Sequence, residues 1–182
     1  MSISKIFEKD IDVKLLSEDN FTANISENWS IGQTANGGYS MALIAKACSK
    51  ALSHKDPLVL SANYIDRVEF GPADIQITKI ASTKSTSTAH VSLKQNGILK
   101  IFCTVTFTDF SKMKGLNDNL RLEPKFDPYE NCIQVPYKEG FNPKLDKNLE
   151  KKYCLDSLWW KNPSEENKAC LLYTSDAADE RL

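Results

Sequence analysis

The most regular hydrophobic pattern in the chain lies between residues 39 and 53. Apolar side chains recur there at the spacing of an α-helix, and neighbouring apolar residues widen the stripe until only Lys46, Ser49 and Lys50 interrupt it. Pro57 bars the helix from continuing further along the chain. The pattern predicts a helix over residues 39–53 that is covered on most of its sides.

The hydrophobic period changes from about 3.6 residues to 2 after this helix, which predicts strands. One further strand is predicted before the helix, because Phe21, Ala23 and Ile25 alternate with polar residues. One helix laid across a strongly curved, mostly antiparallel sheet would use all of these apolar residues, so the predicted class is α+β. The predicted strands cover residues 21–26, 58–68, 75–80, 86–94 and 98–108.

The turn at Asn96-Gly97 joins the last two predicted strands, and the apolar pattern allows two registers to be compared. A two-residue loop would place Val91 opposite Phe102. A three-residue loop, with Gly97 left-handed and a bulge, would instead pair Leu93 with Leu99, Val91 with Ile101 and Ala89 with Cys103. Because a slip of one residue moves every side chain to the other face, the sequence favours the three-residue loop.

The organisation of the chain follows from where these patterns begin and end. Residues 1–20 form a polar N-terminal segment, 21–110 the predicted domain, and 111–152 a proline-containing linker with a short strand at 132–135. Residues 153–161 are apolar again and predict the first strand of a second unit, whose start is assigned to residues 153–169. Residues 170–182 look like a translated sequencing adapter, so we exclude them from fold prediction and expect the natural protein to continue past Ala169.

Charge and cysteine usage exclude several classes of function. A net charge of −1 without a basic cluster argues against nucleic-acid binding. No apolar run reaches the ~20 residues of a membrane span and no secretory leader is evident, so we expect a cytoplasmic protein. The five cysteines have no Cys-x-x-Cys spacing and no nearby histidine, which favours buried free thiols over disulfides or zinc. No cofactor and no metal are predicted.

The candidate binding site is the stretch Asn36-Gly37-Gly38-Tyr39 at the start of the predicted helix. Two glycines allow a sharp turn and a close approach by a ligand, and the first amides of a helix have no helical carbonyl to bond. Such amides suit a polarised carbonyl or a developing negative charge. A plain structural turn, with Asn36 as the helix cap, is the competing interpretation.

With these residues in view, the chain resembles the double-hotdog acyl-CoA thioesterases of the acyl-CoA thioesterase II type over about residues 20–110. The likeness depends on three tracts and their intervals: Trp29 and Gly32 ahead of Asn36-Gly37-Gly38-Tyr39, the tract at residues 63–72, and residues 91–97 leading into 101–107. The resemblance implies a hotdog fold, in which a central helix lies in a curled sheet. It also implies two such units and hydrolysis of a fatty acyl-CoA by activated water.

The resemblance implies that the residues activating water come from the second hotdog, so the catalytic residues are unknown here. Residues 39–53 contain no Asp or Glu, which argues against a hotdog dehydratase. We therefore expect a thioesterase-like protein with acyl-CoA as its partner, and a non-catalytic acyl-thioester-binding or interaction module as the alternative. Asp66 and Arg67 are interpreted as structural, although Arg67 could meet a CoA phosphate. Exposed sheet edges predict a homo-oligomer.

Overall fold

The protein is described from a computed structural model that covers residues 3–115, 127–154 and 172–174. The chain divides into two units, residues 1–115 and residues 116–182, and each has its own sheet. The elements of the first unit are α1 (Ile3–Asp10), β1 (Val13–Ser17), β2 (Asn20–Ile25), β3 (Ser30–Ile31), β4 (Thr34–Ala35), α2 (Gly37–Ala51), β5 (Asp56–Tyr64), β6 (Gly71–Ser82), β7 (Ser87–Gln95) and β8 (Ile98–Thr108).

Six strands of the first unit form one sheet in the order β1-β2-β6-β7-β8-β5. Every pairing between neighbours is antiparallel, and β1 and β5 are the two edges, so the sheet is not closed. The short strands β3 and β4 pair with each other separately. The architecture is the predicted α+β arrangement of one long helix on a mainly antiparallel sheet.

The core of the first unit lies between α2 and one face of this sheet. Along β7 the odd-numbered residues from 87 to 95 are all buried, whereas the even-numbered ones are partly or fully exposed. Within residues 41–50 of the helix only Lys50 is exposed, which confirms that α2 is covered on most sides. The fully buried side chains of the core include Leu43, Ile44, Cys48, Val91, Leu93, Ile101, Cys103, Val105 and Phe107.

Helix α2 begins two residues earlier than predicted and ends two residues earlier. Asn36 is its N-cap, with the side-chain Oδ1 accepting a hydrogen bond from the amide of Tyr39 at 3.2 Å. Gly37 and Gly38 are therefore the first two residues of the helix and not a turn ahead of it. At the other end, Leu52 donates to the carbonyl of Cys48 at 2.8 Å and then continues in an extended conformation.

The predicted strand over residues 58–68 ends at Tyr64 in the structure. The amides of Ile65 and Asp66 both donate to the carbonyl oxygen of Lys100, at 2.8 and 3.2 Å, and this turns the chain out of the sheet. Residues 65–68 then run to the start of α2, where the carbonyl of Val68 accepts from Ala35 at 3.0 Å. The early end of β5 thus supplies the segment that borders the candidate site.

The predicted three-residue hairpin loop is wrong. Gln95 pairs with Ile98, so the loop has two residues, and both Asn96 and Gly97 have positive φ values of 51° and 79°. A β-bulge at Lys100 then shifts the register, so that Leu93 pairs with Ile101. The bulge has the effect that was expected of the three-residue loop, because it brings the apolar side chains of β7 and β8 to the same face.

The second unit contains a three-stranded antiparallel sheet in the order β11-β10-β9. Its strands are β9 (Ile133–Gln134), β10 (Lys151–Tyr153) and β11 (Leu172–Thr174). Strand β9 falls inside the short strand that the sequence predicts at residues 132–135. Of the strand predicted from residue 153 to 161, only Tyr153 and Cys154 are among the described residues.

The described cysteines are all buried free thiols, as the sequence predicts: Cys48, Cys103, Cys132 and Cys154. The fifth, Cys170, lies outside the described residues. The longest helix in the described parts of the chain is α2 with 15 residues, and no described helix combines the length and apolarity required to cross a bilayer.

Candidate functional site

The structure uses the side chains of Asn36 and Tyr39 to fix the start of α2. Asn36 caps the helix and its own amide donates to the carbonyl of Trp29 at 2.8 Å. The Tyr39 hydroxyl donates to the carbonyl of Asp10 at 2.7 Å and accepts from the amide of Ser26 at 3.0 Å. Both side chains therefore have structural partners, and neither lines the cleft described below.

Tyr39 belongs to an aromatic and polar cluster that joins α1 to α2. Its ring stacks on Trp29 with 6.1 Å between centroids, and Phe7 of α1 meets Trp29 edge-on at 4.9 Å. The carboxylate of Asp10 accepts from Trp29 Nε1 at 3.0 Å and also from Ser26 and Asn28. Burial raises the pKa of Tyr39 to about 12. This role of Asp10 could not be predicted, because residues 1–20 show no sustained periodic pattern.

Gly37 and Gly38 differ from their neighbours because their amides remain available. Among residues 3–115 neither amide has a hydrogen-bond partner, whereas the amides of Tyr39 and Ser40 bond to the side chain and the carbonyl of Asn36. These two N–H groups lie at the positive end of the helix dipole. Of the four predicted binding residues, the two glycines are thus the ones that can offer donors to a ligand.

A cleft of about 250 Å³ lies beside the first turn of α2. Gly37 and Ser40 line it from the helix, and residues 64–68 line it from the opposite side together with Thr34 and Ala35. The hydroxyl of Tyr64 donates to the carbonyl of Gly37 at 2.9 Å, and Thr34 Oγ1 donates to the carbonyl of Val68 at 3.3 Å. The bond from Tyr64 joins the two walls beside the free amide of Gly37, and the bond from Thr34 lies within the wall opposite the helix.

The cleft also explains why position 37 is a glycine. A Cβ atom added there would lie 3.0 Å from both Cζ and the hydroxyl oxygen of Tyr64, which is closer than ordinary van der Waals contact. At Gly38 the nearest atom would be Oδ1 of the capping Asn36, at 3.1 Å. The glycines therefore allow the Tyr64 ring and the cap to approach the helix backbone closely.

The charged residues of the cleft are Asp66 and Arg67. Asp66 Oδ2 lies 2.6 Å from Nζ of Lys100, and its Oδ1 accepts from the amide of Arg67 at 2.7 Å. The hydrogen bond from Lys100 lowers the pKa of Asp66, and the amide of Arg67 adds to this effect. Asp66 is therefore a weak base. The Arg67 side chain is exposed and has no ion pair within residues 3–115, so the predicted structural role is carried by Asp66 rather than by Arg67.

A second cavity, of about 320 Å³, lies near the C-terminal end of α2 and is lined by His54 and Lys84 among others. His54 Nδ1 lies 2.7 Å from Ser87 Oγ, and Nε2 lies 3.3 Å from the carbonyl of Lys84. Ser87 is almost completely buried and does not line the cavity. The pair therefore ties the end of the helix to β7 and does not present a nucleophile to a ligand. No metal-binding cluster of His, Cys, Asp or Glu occurs in the described ranges.

Comparisons with known proteins relate part of the first unit to thioesterases. Residues 25–108 match the family described as acyl-CoA thioesterase N-terminal domain. The thioesterase-like protein TwmA of Talaromyces wortmannii is 30% identical over 99 residues, which cover 53% of this chain and 28% of that protein. The chain thus spans less than a third of this relative.

Solved structures show the same fold at low sequence identity. A proposed thioesterase II of Thermobifida fusca YX superimposes with a TM-score of 0.76 and 18% identity, covering 84% of this chain and 56% of that one. A hotdog-fold protein of unknown function from Alicyclobacillus acidocaldarius gives a TM-score of 0.71 at 14% identity, covering 81% and 55%. Acyl-CoA thioesterase II TesB2 of Mycobacterium marinum gives 0.64 at 11%, covering 81% and 52%.

The fold of the first unit is the hotdog fold of these solved structures. The resemblance drawn from the sequence is therefore confirmed, since residues 25–108 match the N-terminal domain family of acyl-CoA thioesterases.

Proposed function

We propose that the first unit binds a fatty acyl-CoA in the cleft beside α2, with the thioester carbonyl directed to the amides of Gly37 and Gly38. The observation that carries the proposal is that these two amides have no partner within residues 3–115 and that Gly37 lines the cleft. Two N–H groups at a helix N-terminus are suited to the oxygen of a carbonyl, and more so to an oxyanion.

The polar part of the ligand would lie on the exposed wall of the cleft. Arg67 is the cation on that wall, and its side chain has no acidic partner in the described first unit. A guanidinium is well suited to binding a phosphate group. Ser40 and Ala35 offer a small, partly apolar surface on the other side. We therefore place a CoA phosphate near Arg67 and the thioester at the helix.

Hydrolysis requires a group that activates water, and the described first unit offers no suitable one at the cleft. Helix α2 has no acidic residue, and Asp66 is held in its charged form by Lys100. We propose that the whole protein is a cytoplasmic acyl-CoA thioesterase whose base is supplied by a second hotdog and not by residues 1–169. Under this proposal the oxyanion donors and the base belong to different parts of the assembly.

The edge strand β5 is the surface on which such a second part would pair. None of its nine residues is buried, and Leu58 and Val59 are exposed although they are apolar. An unpaired edge with these properties favours addition of another strand. We propose that a second hotdog, in the same protein or in a second copy of the chain, extends the sheet there. Pairing with a second copy of the chain would be the homo-oligomer that the sequence predicts.

A non-catalytic acyl-thioester-binding module is the second candidate function. It is favoured by the same engagement of Asp66 with Lys100, since a cleft without a free base can bind a thioester without cleaving it. The two candidates differ in turnover by the whole protein and not in ligand binding by this chain.

Calorimetric titration of this chain with a thioether analogue of palmitoyl-CoA, which cannot be hydrolysed, tests the proposal. We expect saturable binding that Arg67→Ala weakens about two- to fivefold, because an exposed ion pair is worth up to ~1 kcal/mol. Lys94→Ala, which removes a positive charge outside the cleft, should leave the affinity unchanged. Absence of binding would overturn the cleft as the ligand site, and release of CoA from palmitoyl-CoA by residues 1–169 would overturn the placement of the base.

A further inference from the structure

Cys132 and Cys154 face each other across the sheet of the second unit. Strands β9 and β10 pair Gln134 with Lys152 and Ile133 with Tyr153, so the next pair in this register is Cys132 with Cys154. The two sulfur atoms are 3.7 Å apart, which is contact between free thiols. The backbone register and the side-chain distance therefore give the same pairing independently.

These two thiols are the most protected side chains in their part of the chain. Within residues 127–154, Cys132 and Cys154 are the only buried residues, with 7% and 6% of their surface exposed. Cys132 Sγ also lies 3.6 and 3.8 Å from the carbonyl oxygens of Pro128 and Asp127. A covalent bond between the two sulfurs would thus cross-link the interior of this segment.

We propose that Cys132 and Cys154 form an oxidative modification site, at which a low-molecular-weight disulfide such as glutathione disulfide converts the two thiols into an intramolecular disulfide. One cysteine thiolate attacks the small disulfide, which forms a mixed disulfide and releases one thiolate. The second cysteine then attacks the protein sulfur of the mixed disulfide and releases the other thiolate. The two cysteines are oxidised by two electrons, and their two protons pass to the two small thiols produced.

The geometry requires only a small adjustment. A disulfide needs an S–S distance of about 2.05 Å and Cβ atoms about 3.5–4.5 Å apart, and directly opposed residues in an antiparallel pair have Cβ atoms about 4.5–5.5 Å apart. A movement of β9 and β10 toward each other by about 1 Å at this end satisfies these values. Such a change is small for a segment whose other described residues are all at least partly exposed.

The rate should depend on pH because the thiolate is the attacking species. Burial raises the pKa of the Cys132 thiol, and its hydrogen bond with Cys154 adds to the effect. Oxidation is therefore slow near neutral pH and accelerates as the pH rises toward this pKa. Cys48 and Cys103 in the core of the first unit are completely buried, and burial raises their pKa values to about 12 and about 11, so we expect them to react far more slowly.

Incubation of the full chain with glutathione disulfide at pH 8.5, followed by thiol counting in denaturant and peptide mapping, tests the proposal. The reduced chain has five thiols. We expect a loss of two thiols, a mass lower by two hydrogen atoms, a Cys132–Cys154 peptide in the map, and full reversal by dithiothreitol. The rate at pH 7.5 should be about tenfold lower if the thiolate is the scarce species.

Matched variants separate this pair from the other thiols. Cys170→Ser should keep the loss of two thiols, whereas Cys132→Ser and Cys154→Ser should lose at most one and retain a glutathione adduct. A map that joins either cysteine to Cys170, or a wild-type chain that keeps all its thiols under these conditions, would overturn the proposal. Because the wild-type measurement is decisive by itself, the conclusion holds even where a serine variant folds poorly.

Discussion

Lys100 contacts Asp66 twice, once through its side chain and once through its backbone. Its Nζ lies 2.6 Å from Asp66 Oδ2, and its carbonyl accepts the amide of Asp66 at 3.2 Å. Lys100 is also the extra residue of the bulge in β8 and is nearly buried. One residue therefore sets the register of the last hairpin, ends β5 and holds the wall of the cleft.

The ion pair predicts a pH-dependent stability that Asp66→Asn removes. The pKa of Asp66 is lowered in the folded state, mainly by the Lys100 hydrogen bond, so its stabilisation is complete above the unfolded pKa of about 3.9. It is lost as the pH falls below that value through the folded pKa. Urea denaturation from pH 3 to 7 should show a lower midpoint for Asp66→Asn above pH 5 and a shrinking difference below pH 4.

The Lys100→Met background is the control for this effect. Met keeps the length and apolar stem of the side chain but cannot pair with Asp66. In this background the pH-dependent difference caused by Asp66→Asn should shrink to the smaller part that Arg67 supplies. A pH-dependent difference that stays undiminished without Lys100 would contradict the assignment of the low pKa mainly to this pair.

The hairpin turn predicts a destabilisation specific to a positive φ angle. Gly97 has φ of 79°, a conformation that alanine adopts only with strain, so Gly97→Ala should lower the free energy of unfolding by about 1 kcal/mol. Gly115→Ala is the matched control, since a Cβ there meets no atom within 4 Å and the φ angle is not positive. Equal urea midpoints for the two variants would contradict the positive φ angle of Gly97.

The hydrophobic period predicted most of the fold because burial on one face requires an apolar side chain at every second residue of a strand and at every third or fourth residue of a helix. It placed α2 to within two residues at each end, and it correctly put odd-numbered residues of β7 opposite odd-numbered residues of β8. Each predicted pair is nevertheless displaced by two residues, since Val91 pairs with Cys103 and not with Ile101. It failed at the hairpin because a bulge at Lys100 is a local change that alternation alone cannot locate. In the structure Lys100 and Ile101 are both buried, which breaks the alternation. In the sequence, however, position 100 is a polar residue and fits an exposed position of the strand.

The candidate site was predictable only in part. The pair of glycines marked the start of the helix because few other features require two glycines there. The partners of Tyr39 could not be predicted, since Asp10 and Ser26 reach it through tertiary contacts made by a segment without periodicity. The ion pair of Asp66 also depends on a residue 34 positions away.

The Tyr39 hydroxyl predicts a split between stability and ligand binding. Tyr39→Phe leaves the carbonyl of Asp10 and the amide of Ser26 without their buried partner, which should cost about 1–3 kcal/mol in the free energy of unfolding. The affinity for the palmitoyl-CoA thioether should remain within twofold, because Tyr39 does not line the cleft. A loss of affinity without a loss of stability would show instead that the phenol contacts the ligand.

The same hydroxyl predicts a delayed ionisation step at high pH. The pKa of Tyr39 is raised to about 12, mainly by burial, so the neutral phenol favours folding. This contribution is complete below the unfolded pKa of about 10 and is lost as the pH rises from there toward 12. Absorbance at 295 nm should show a late step among the six tyrosines that is absent in Tyr39→Phe. If the curve of Tyr39→Phe had the same shape as the wild-type curve and only a smaller amplitude, the raised pKa of Tyr39 would be contradicted.

The amide of Gly37 can be tested by comparing Gly37→Pro with Gly37→Ala. Both variants add a Cβ next to Tyr64, but only proline also deletes the N–H group. Position 37 is the first residue of α2, where proline is well tolerated, and Asn36 already has the extended φ and ψ of −60° and 140° that a following proline requires.

The comparison should be made in a Tyr64→Ala background, which removes the ring that a Cβ would crowd. Loss of one hydrogen bond of about 0.5–1.5 kcal/mol to a thioester carbonyl should weaken binding of a stable acyl-CoA amide analogue two- to tenfold in Gly37→Pro relative to Gly37→Ala. In the whole protein the corresponding loss in hydrolysis rate should be larger, about 10² to 10³-fold, because an oxyanion binds the donor more strongly than a carbonyl does. Equal affinities and rates for the two variants would show that the Gly37 amide does not contact the ligand and that the glycines serve only the packing of Tyr64 against the helix.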